Sequence, residues 1–202
     1  GRAHEALLNL EEARATYAEP LGQQYEAWSS ARLCVVAALS ENWEEAYAHA
    51  RRANEADVFA NNQPLGIHLH HEVEALRGGD ELLAREEVRH FAERAQTNER
   101  DRIAYLCSLA ILGEWEGDPE RATVHLQEAE KLAEKLGLPS ELWRIRAGLG
   151  GLYERREEIG EARAAFSRAA QTLRTLAQRI GAEELREEFL SAPLVRRVLE
   201  RS

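Results

Sequence analysis

The sequence predicts an all-α fold in which antiparallel helix pairs stack into an α-solenoid. Strong helix formers (Ala, Leu, Glu and Arg) dominate the 202-residue chain, which contains only five prolines. Apolar residues recur at spacings of three and four, and no stretch alternates for long with a period of two. Turn-forming residues interrupt this pattern at regular intervals and leave segments of roughly 14 to 20 residues, a normal length for helices.

One helical pattern recurs five times along the chain. Its inward positions i, i+4 and i+7 lie on one face of a helix, and a small first residue allows a neighbouring helix to approach closely. The leading alanines stand at positions 6, 46, 84, 122 and 162, so the spacings are 40, 38, 38 and 40 residues. Helix pairs of this kind cannot bury their own apolar faces, and stacking buries them against one another. The triplets are Ala6/Leu10/Ala13, Ala46/Ala50/Ala53, Ala84/Val88/Phe91, Ala122/Leu126/Ala129 and Ala162/Phe166/Ala169.

The repeat register predicts the elements in order within one solenoid domain over residues 1–202. We expect a second helix without its first helix at 1–18, helix pairs at 21–58, 63–97, 99–136 and 140–180, and capping helices at 182–202. Methionine is absent, also from position 1, so we expect the chain to be a fragment of a longer protein. The first helix would then lack a neighbour and leave Leu7 uncovered, which predicts a homodimer formed through the N-terminal helix.

The last full unit, residues 142–170, carries a family resemblance. Leu149-Gly150 and Tyr153 in its first helix, with Ala162, Phe166 and Ala169 in its second, resemble the tetratricopeptide repeat (TPR). The first helices of the upstream units depart from the motif. The repeat period of this chain is also longer than the usual TPR period of about 34 residues. The longer period is similar to the C-terminal arrays of bacterial multidomain signalling ATPases and transcriptional activators. The resemblance implies a right-handed superhelix that serves protein–protein interaction.

The resemblance also implies a concave groove lined by the first helices. We expect a regulatory scaffold that binds a peptide, a partner protein or its own parent chain there, with an acidic peptide carrying an apolar anchor as the preferred ligand. The alternative is a small-molecule effector-sensing domain of a transcriptional regulator, which would show a deep apolar pocket instead. The expected groove residues are Trp28, Arg32, Val35, Leu69, His70, Val73, Arg77, Cys107, Ile111, Arg144 and Arg155.

A histidine-rich segment, "IHLHHEVEAL" (67–76), raises the question of a metal site. His68, His71 and Glu72 could share one helical face, but a zinc site usually needs a further ligand from another element. The competing interpretation is a helix that buries the stripe of Leu65, Leu69, Val73 and Leu76, and a buried His–Glu hydrogen bond is a third. We expect no metal, no cofactor and only weak zinc binding.

Charge and motif content exclude several classes of function. Lys and Arg total 26 against 36 for Asp and Glu, a net charge of −10, which argues against direct nucleic-acid binding. No apolar run approaches the roughly 18 residues of a membrane span, so we expect a cytoplasmic protein without membrane contact. The chain has no phosphate-binding Gly-rich loop, no Cys-x-x-Cys pair and no nucleophile elbow, so we do not expect an enzyme.

Overall fold

The computed structural model is all-helical, with no strand among the residues it describes, namely 19–60, 85, 88–89, 92 and 94–202. This confirms the predicted all-α class. The chain divides into two compact units, residues 1–92 and 93–202. The N-terminal helix expected at 1–18, including Leu7, lies outside the described residues.

The first unit contains a helix pair, α1 (Glu19–Leu39) and α2 (Trp43–Ala60). Asn42 precedes α2 and binds Glu45 reciprocally, since its Nδ2 donates to the Glu45 carboxylate at 2.6 Å and its Oδ1 accepts from the Glu45 amide at 3.5 Å. This arrangement resembles a capping box and fixes the start of α2. The two helices bury one apolar cluster, formed by Cys34, Ala37, Ala38, Ala46 and Ala50.

Among its described residues, the second unit contains a short 3-10 helix (Arg94–Gln96) and six α-helices. The six α-helices are α3 (Glu99–Trp115), α4 (Pro119–Leu136), α5 (Pro139–Arg155), α6 (Ile159–Gln178), α7 (Glu183–Ser191) and α8 (Pro193–Glu200). Asn98 and Asp118 cap α3 and α4 by accepting from backbone amides of the first turns, both at 2.9 Å. Gly137 ends α4 with a φ of 64°, a left-handed conformation that favours glycine.

Successive helices of the second unit pack against each other from α3 to α6, and both α7 and α8 contact α6. Ion pairs from Glu99 to Lys135 and from Arg102 to Glu128 join the start of α3 to the later part of α4, so this pair is antiparallel. The core draws on α3, α4, α5 and α6 together, including Ile103, Leu106, Leu126, Ile145, Leu149, Leu152 and Ala165.

The described members of the alanine triplets are all buried. Ala46, Ala50, Ala53, Ala122, Ala129, Ala162 and Ala169 are at most 2% exposed, and Val88, Leu126 and Phe166 are at most 6% exposed. The repeat pattern therefore predicted the inward face of these helices correctly. The two cysteines, Cys34 and Cys107, are both buried and are not joined in a disulfide.

Candidate binding surface

Helices α3 and α5 lie side by side in the second unit and run in the same direction. Arg100 at the start of α3 pairs with Glu141 at the start of α5, at 3.1 Å. At the other end, Glu114 of α3 pairs with Arg155 of α5, at 2.8 Å. These two ion pairs join the two helices at both ends.

One side of α5 remains accessible beside these pairs, and we call its residues Arg144, Ala147, Gly151 and Arg155 the α5 surface. Arg155 is exposed and the other three are half-buried. A Cβ atom placed on Gly151 would meet only the Arg155 guanidinium, at 3.6 Å, so the space above this glycine is otherwise open. Because Gly151 has no side chain, another chain can approach the backbone of α5 at this position.

The neighbouring glycine, Gly150, lies in a crowded environment and not in an open one. A Cβ atom on Gly150 would lie 2.8–2.9 Å from three atoms of the Phe166 ring, closer than real Cβ contacts come. Leu149 is 1% exposed and Phe166 3% exposed, so this side of α5 is in the core with α6. Glycine at 150 thus allows α5 and α6 to pack closely.

The charges along the α5 surface are largely compensated within the unit. Glu114 forms an ion pair with Arg155, and Arg201, which follows α8, forms an ion pair with Glu154 at 3.3 Å. The Arg144 guanidinium lies over the ring of buried Trp143, 5.4 Å from its centroid. An acidic ligand would therefore compete with Glu114 for Arg155 instead of finding an unpaired arginine.

Sequence reasoning missed Glu114 and Glu154, although the repeat register contains the signal. The two glutamates are 40 residues apart and occupy equivalent positions in α3 and α5. Each glutamate forms an ion pair with an arginine of a later element of the unit. A carboxylate at this position therefore joins each of these two helices to a later element of the unit.

A second charged cluster lies on the opposite side of α5 from Arg144. Arg146 is only 13% exposed and donates to Glu130 of α4 at 2.8 Å and to the hydroxyl of Thr172 on α6 at 3.1 Å. Glu134 also binds this guanidinium. The cluster cross-links three helices and holds α5 in place beneath its accessible surface.

The remaining predicted groove residues are distributed unevenly. Cys107 and Ile111 of α3 are 3% and 5% exposed, so the accessible part of the predicted surface in this unit lies on α5. In the first unit Arg32 is exposed and Val35 half-buried on α1, while the side chain of Trp28 lies outside the described residues. Four further predicted residues also lie outside them, Leu69, His70, Val73 and Arg77.

Neither the family models nor the curated proteins compared with this chain match it.

Among the described residues, no group of three or more His, Cys, Asp or Glu side chains is arranged to hold a metal ion. The predicted cluster of His68, His71 and Glu72 lies outside that part of the chain. Within the described ranges, every helix is too short or too polar to cross a membrane.

Two half-buried histidines have perturbed acid–base properties. Burial lowers the pKa of His49 on α2 below its ordinary 6.5, and the nearby Arg52 lowers it further against the opposing effect of Glu45. Burial also lowers the pKa of His125 on α4, with Arg121 acting in the same direction. Both imidazoles are therefore held in the neutral form at a pH at which a free histidine would already be protonated.

Proposed function

We propose that this chain is a TPR-like right-handed α-solenoid that binds a peptide or protein segment. One observation carries the proposal, namely the 40-residue register between consecutive helix pairs. Helices α3 and α4 begin at residues 99 and 119, and α5 and α6 begin at 139 and 159. The first helices end at 115 and 155, so they have the same length, and each second helix begins at the same distance after its first helix. Repetition of one stacked unit is the basis of solenoid architecture.

Two contacts support the same proposal at the level of residues. The close approach of Gly150 to Phe166 corresponds to the packing for which the repeat motif requires glycine. The ion pairs between α3 and α5 align two first helices in parallel, which is the arrangement that lines one face of a solenoid. By the same resemblance, we assign the parent protein to bacterial cytoplasmic signalling, with this chain as its regulatory interaction module.

We further propose that the α5 surface forms part of the binding groove. An apolar side chain of the ligand would lie against Ala147 and Gly151, where the helix backbone is open to approach. A ligand carboxylate would bind Arg155 after displacing Glu114. The preferred ligand is thus a peptide that combines an apolar anchor with a nearby acidic group.

Selection of peptides from a random display library on the 202-residue chain tests this function. We expect the selected peptides to bind by calorimetry, and we expect Ala147→Glu and Gly151→Glu each to weaken binding at least about tenfold, since each fills the surface with a charged side chain. Val124→Glu is the matched control because Val124 is 60% exposed on α4. Peptides whose affinity responds to the control and not to the α5 variants would contradict the proposal.

The role of Glu114 provides a second, independent measurement. Glu114→Gln removes the competing carboxylate while it retains the shape of the side chain, so binding of an acidic peptide should tighten several-fold. Arg155→Gln should weaken the binding of the same acidic peptide and leave the affinity for a neutral analogue of that peptide unchanged. A selected ligand that is indifferent to both substitutions would exclude Arg155 as an anchor, and saturable binding of a small apolar molecule in its place would favour the effector-sensing alternative.

A further inference from the structure

The C-terminal end of the second unit repeats a contact that joins α3 to α5. Glu114, near the end of α3, pairs with Arg155, the last residue of α5, at 2.8 Å. Glu154 stands 40 positions after Glu114 and pairs with Arg201, which directly follows α8, at 3.3 Å. In both pairs, the arginine comes from the C-terminal end of a later helix. With respect to this contact, α8 therefore takes the place beside α5 that α5 takes beside α3.

The helices α4 and α6 supply a matching contact. Leu126 of α4 packs against α5, since a Cβ atom on Gly148 would lie 3.0 Å from its Cδ1 atom. Phe166 of α6 stands 40 positions after Leu126, and the Arg201 guanidinium lies over its ring, 5.4 Å from the centroid. Glu154 and Phe166 thus receive the end of α8 at the positions through which the preceding pair receives α5. We call these two residues the end site.

Helix α8 occupies this place with fewer buried residues than α5 has. It contains eight residues, of which Val195 and Val198 are buried, whereas α5 contains 17 residues and five buried ones. None of the nine residues of α7, which connects α6 to α8, is buried. Isolated helices shorter than about 12–15 residues are marginal in water, so α8 depends on its contacts with α6 and α7.

The contacts at the end site are individually weak. The side chains of Arg201 and Glu154 are 50% and 40% exposed, so solvent screens their ion pair. The hydroxyl of Ser202 lies 3.5 Å from the Arg174 guanidinium, at the limit of a hydrogen bond. Elements that have few buried side chains open at a lower free energy than the core of the same protein. Opening of α8 alone therefore costs less than unfolding of the unit.

We propose that the end site is a helix-binding site and that α8 is its exchangeable occupant, a cap that opens while α3 to α6 remain folded. The site fits an amphipathic helix that carries an apolar stripe and an arginine directly after its last turn. In the closed state this helix is α8 of the same chain, with Val195 and Val198 as the stripe and Arg201 as the arginine. The inference rests on the register of the described helices and does not require peptide binding at the α5 surface.

Amide hydrogen exchange of the full chain tests the opening. We expect the amides of residues 193–200 to exchange at least about tenfold faster than those of α5 and α6. Arg201→Gln should accelerate the exchange of α8 several-fold further and leave α3 and α4 unchanged. Arg163→Gln is the matched control, since Arg163 is an exposed arginine of α6. An α8 that exchanges as slowly as α5 and α6, through global unfolding alone, would overturn the proposal.

Binding in trans tests the site itself. Val195→Asp with Val198→Asp should release α8 in the full chain, and the probe is a fluorescent peptide of residues 183–202. We expect this peptide to bind the released chain at least about tenfold more tightly than the parent chain, in which α8 competes at a high effective concentration. Adding Glu154→Arg to the released chain should weaken the peptide several-fold, and a peptide carrying Arg201→Glu should recover that loss.

Three outcomes of the binding experiment would overturn the proposal. The first is equal affinity of the peptide for the parent and the released chain. The second is an affinity that does not respond to Glu154→Arg. The third is a released chain that circular dichroism shows to be unfolded, since α8 would then be part of the core and not a cap. Gly151→Glu in the released chain should leave the affinity of the peptide unchanged, so this proposal and that for the α5 surface fail independently.

Discussion

Two adjacent glycines of α5 should respond in opposite directions to the same substitution. Gly150→Ala places a methyl group 2.8–2.9 Å from the Phe166 ring, whereas Gly151→Ala places it 3.6 Å from the exposed guanidinium of Arg155. Phe166 is 3% exposed and cannot move into solvent without disrupting the core between α5 and α6. The two positions share a helix, a residue type and a chemical change, so they differ only in packing.

The magnitude follows from two opposing effects. Replacing glycine by alanine inside a helix stabilises it by about 0.5–1 kcal/mol, and this gain applies to both variants. Overpacking a filled core costs about 1–3 kcal/mol, and this cost applies only at Gly150. Gly151→Ala should therefore be more stable than the parent chain. The difference between the two variants isolates the overpacking cost of about 1–3 kcal/mol, since the helix-propensity gain cancels.

Thermal unfolding followed by circular dichroism measures this difference. For a chain of this length, 1 kcal/mol corresponds to a shift of about 2–4 °C, so the two midpoints should differ by roughly 2–12 °C. Amide hydrogen exchange of α5 and α6 gives a local readout, with faster exchange expected only for Gly150→Ala. A Gly150→Ala variant as stable as Gly151→Ala would show that the Phe166 ring accommodates the methyl group and would refute the packing argument.

Three further predictions follow from burial and charge. Ala162→Leu should destabilise by about 1–3 kcal/mol, because the alanine is 2% exposed between helices; an unchanged urea midpoint would contradict this. Arg146→Ala should cost about 1–3 kcal/mol, since it removes a largely buried guanidinium that donates to half-buried Glu130, whereas Arg196→Ala, in a pair that is about two-thirds exposed, should cost less than about 0.5 kcal/mol. Burial lowers the folded-state pKa of His49 and His125 below 6.5, so stability should be complete above that pH and decline as the pH falls from 6.5 towards the folded values; replacing both by Gln should flatten the decline measured in urea titrations between about pH 7.5 and 5.

The helices and their inward faces were predictable from the sequence because local interactions determine them. Turn residues such as Gly137 end helices through backbone geometry, and capping residues such as Asp118 act within three positions of the chain. The spacing of Ala122, Leu126 and Ala129 indicated which face of α4 is buried, since positions i, i+4 and i+7 lie on one side of a helix.

Only the tertiary structure decided which polar residues meet and which apolar residues remain accessible. Glu114 and Arg155 are 41 positions apart in the sequence. They form an ion pair because packing places α3 and α5 parallel to each other, with these two side chains within reach. Periodicity specifies the side of a helix on which a residue lies, but not what covers that side. Both predicted groove residues of α3, Cys107 and Ile111, are accordingly buried, whereas α5 keeps one side open. Burial of a given face depends on the neighbours that packing brings to it, and these come from distant parts of the chain.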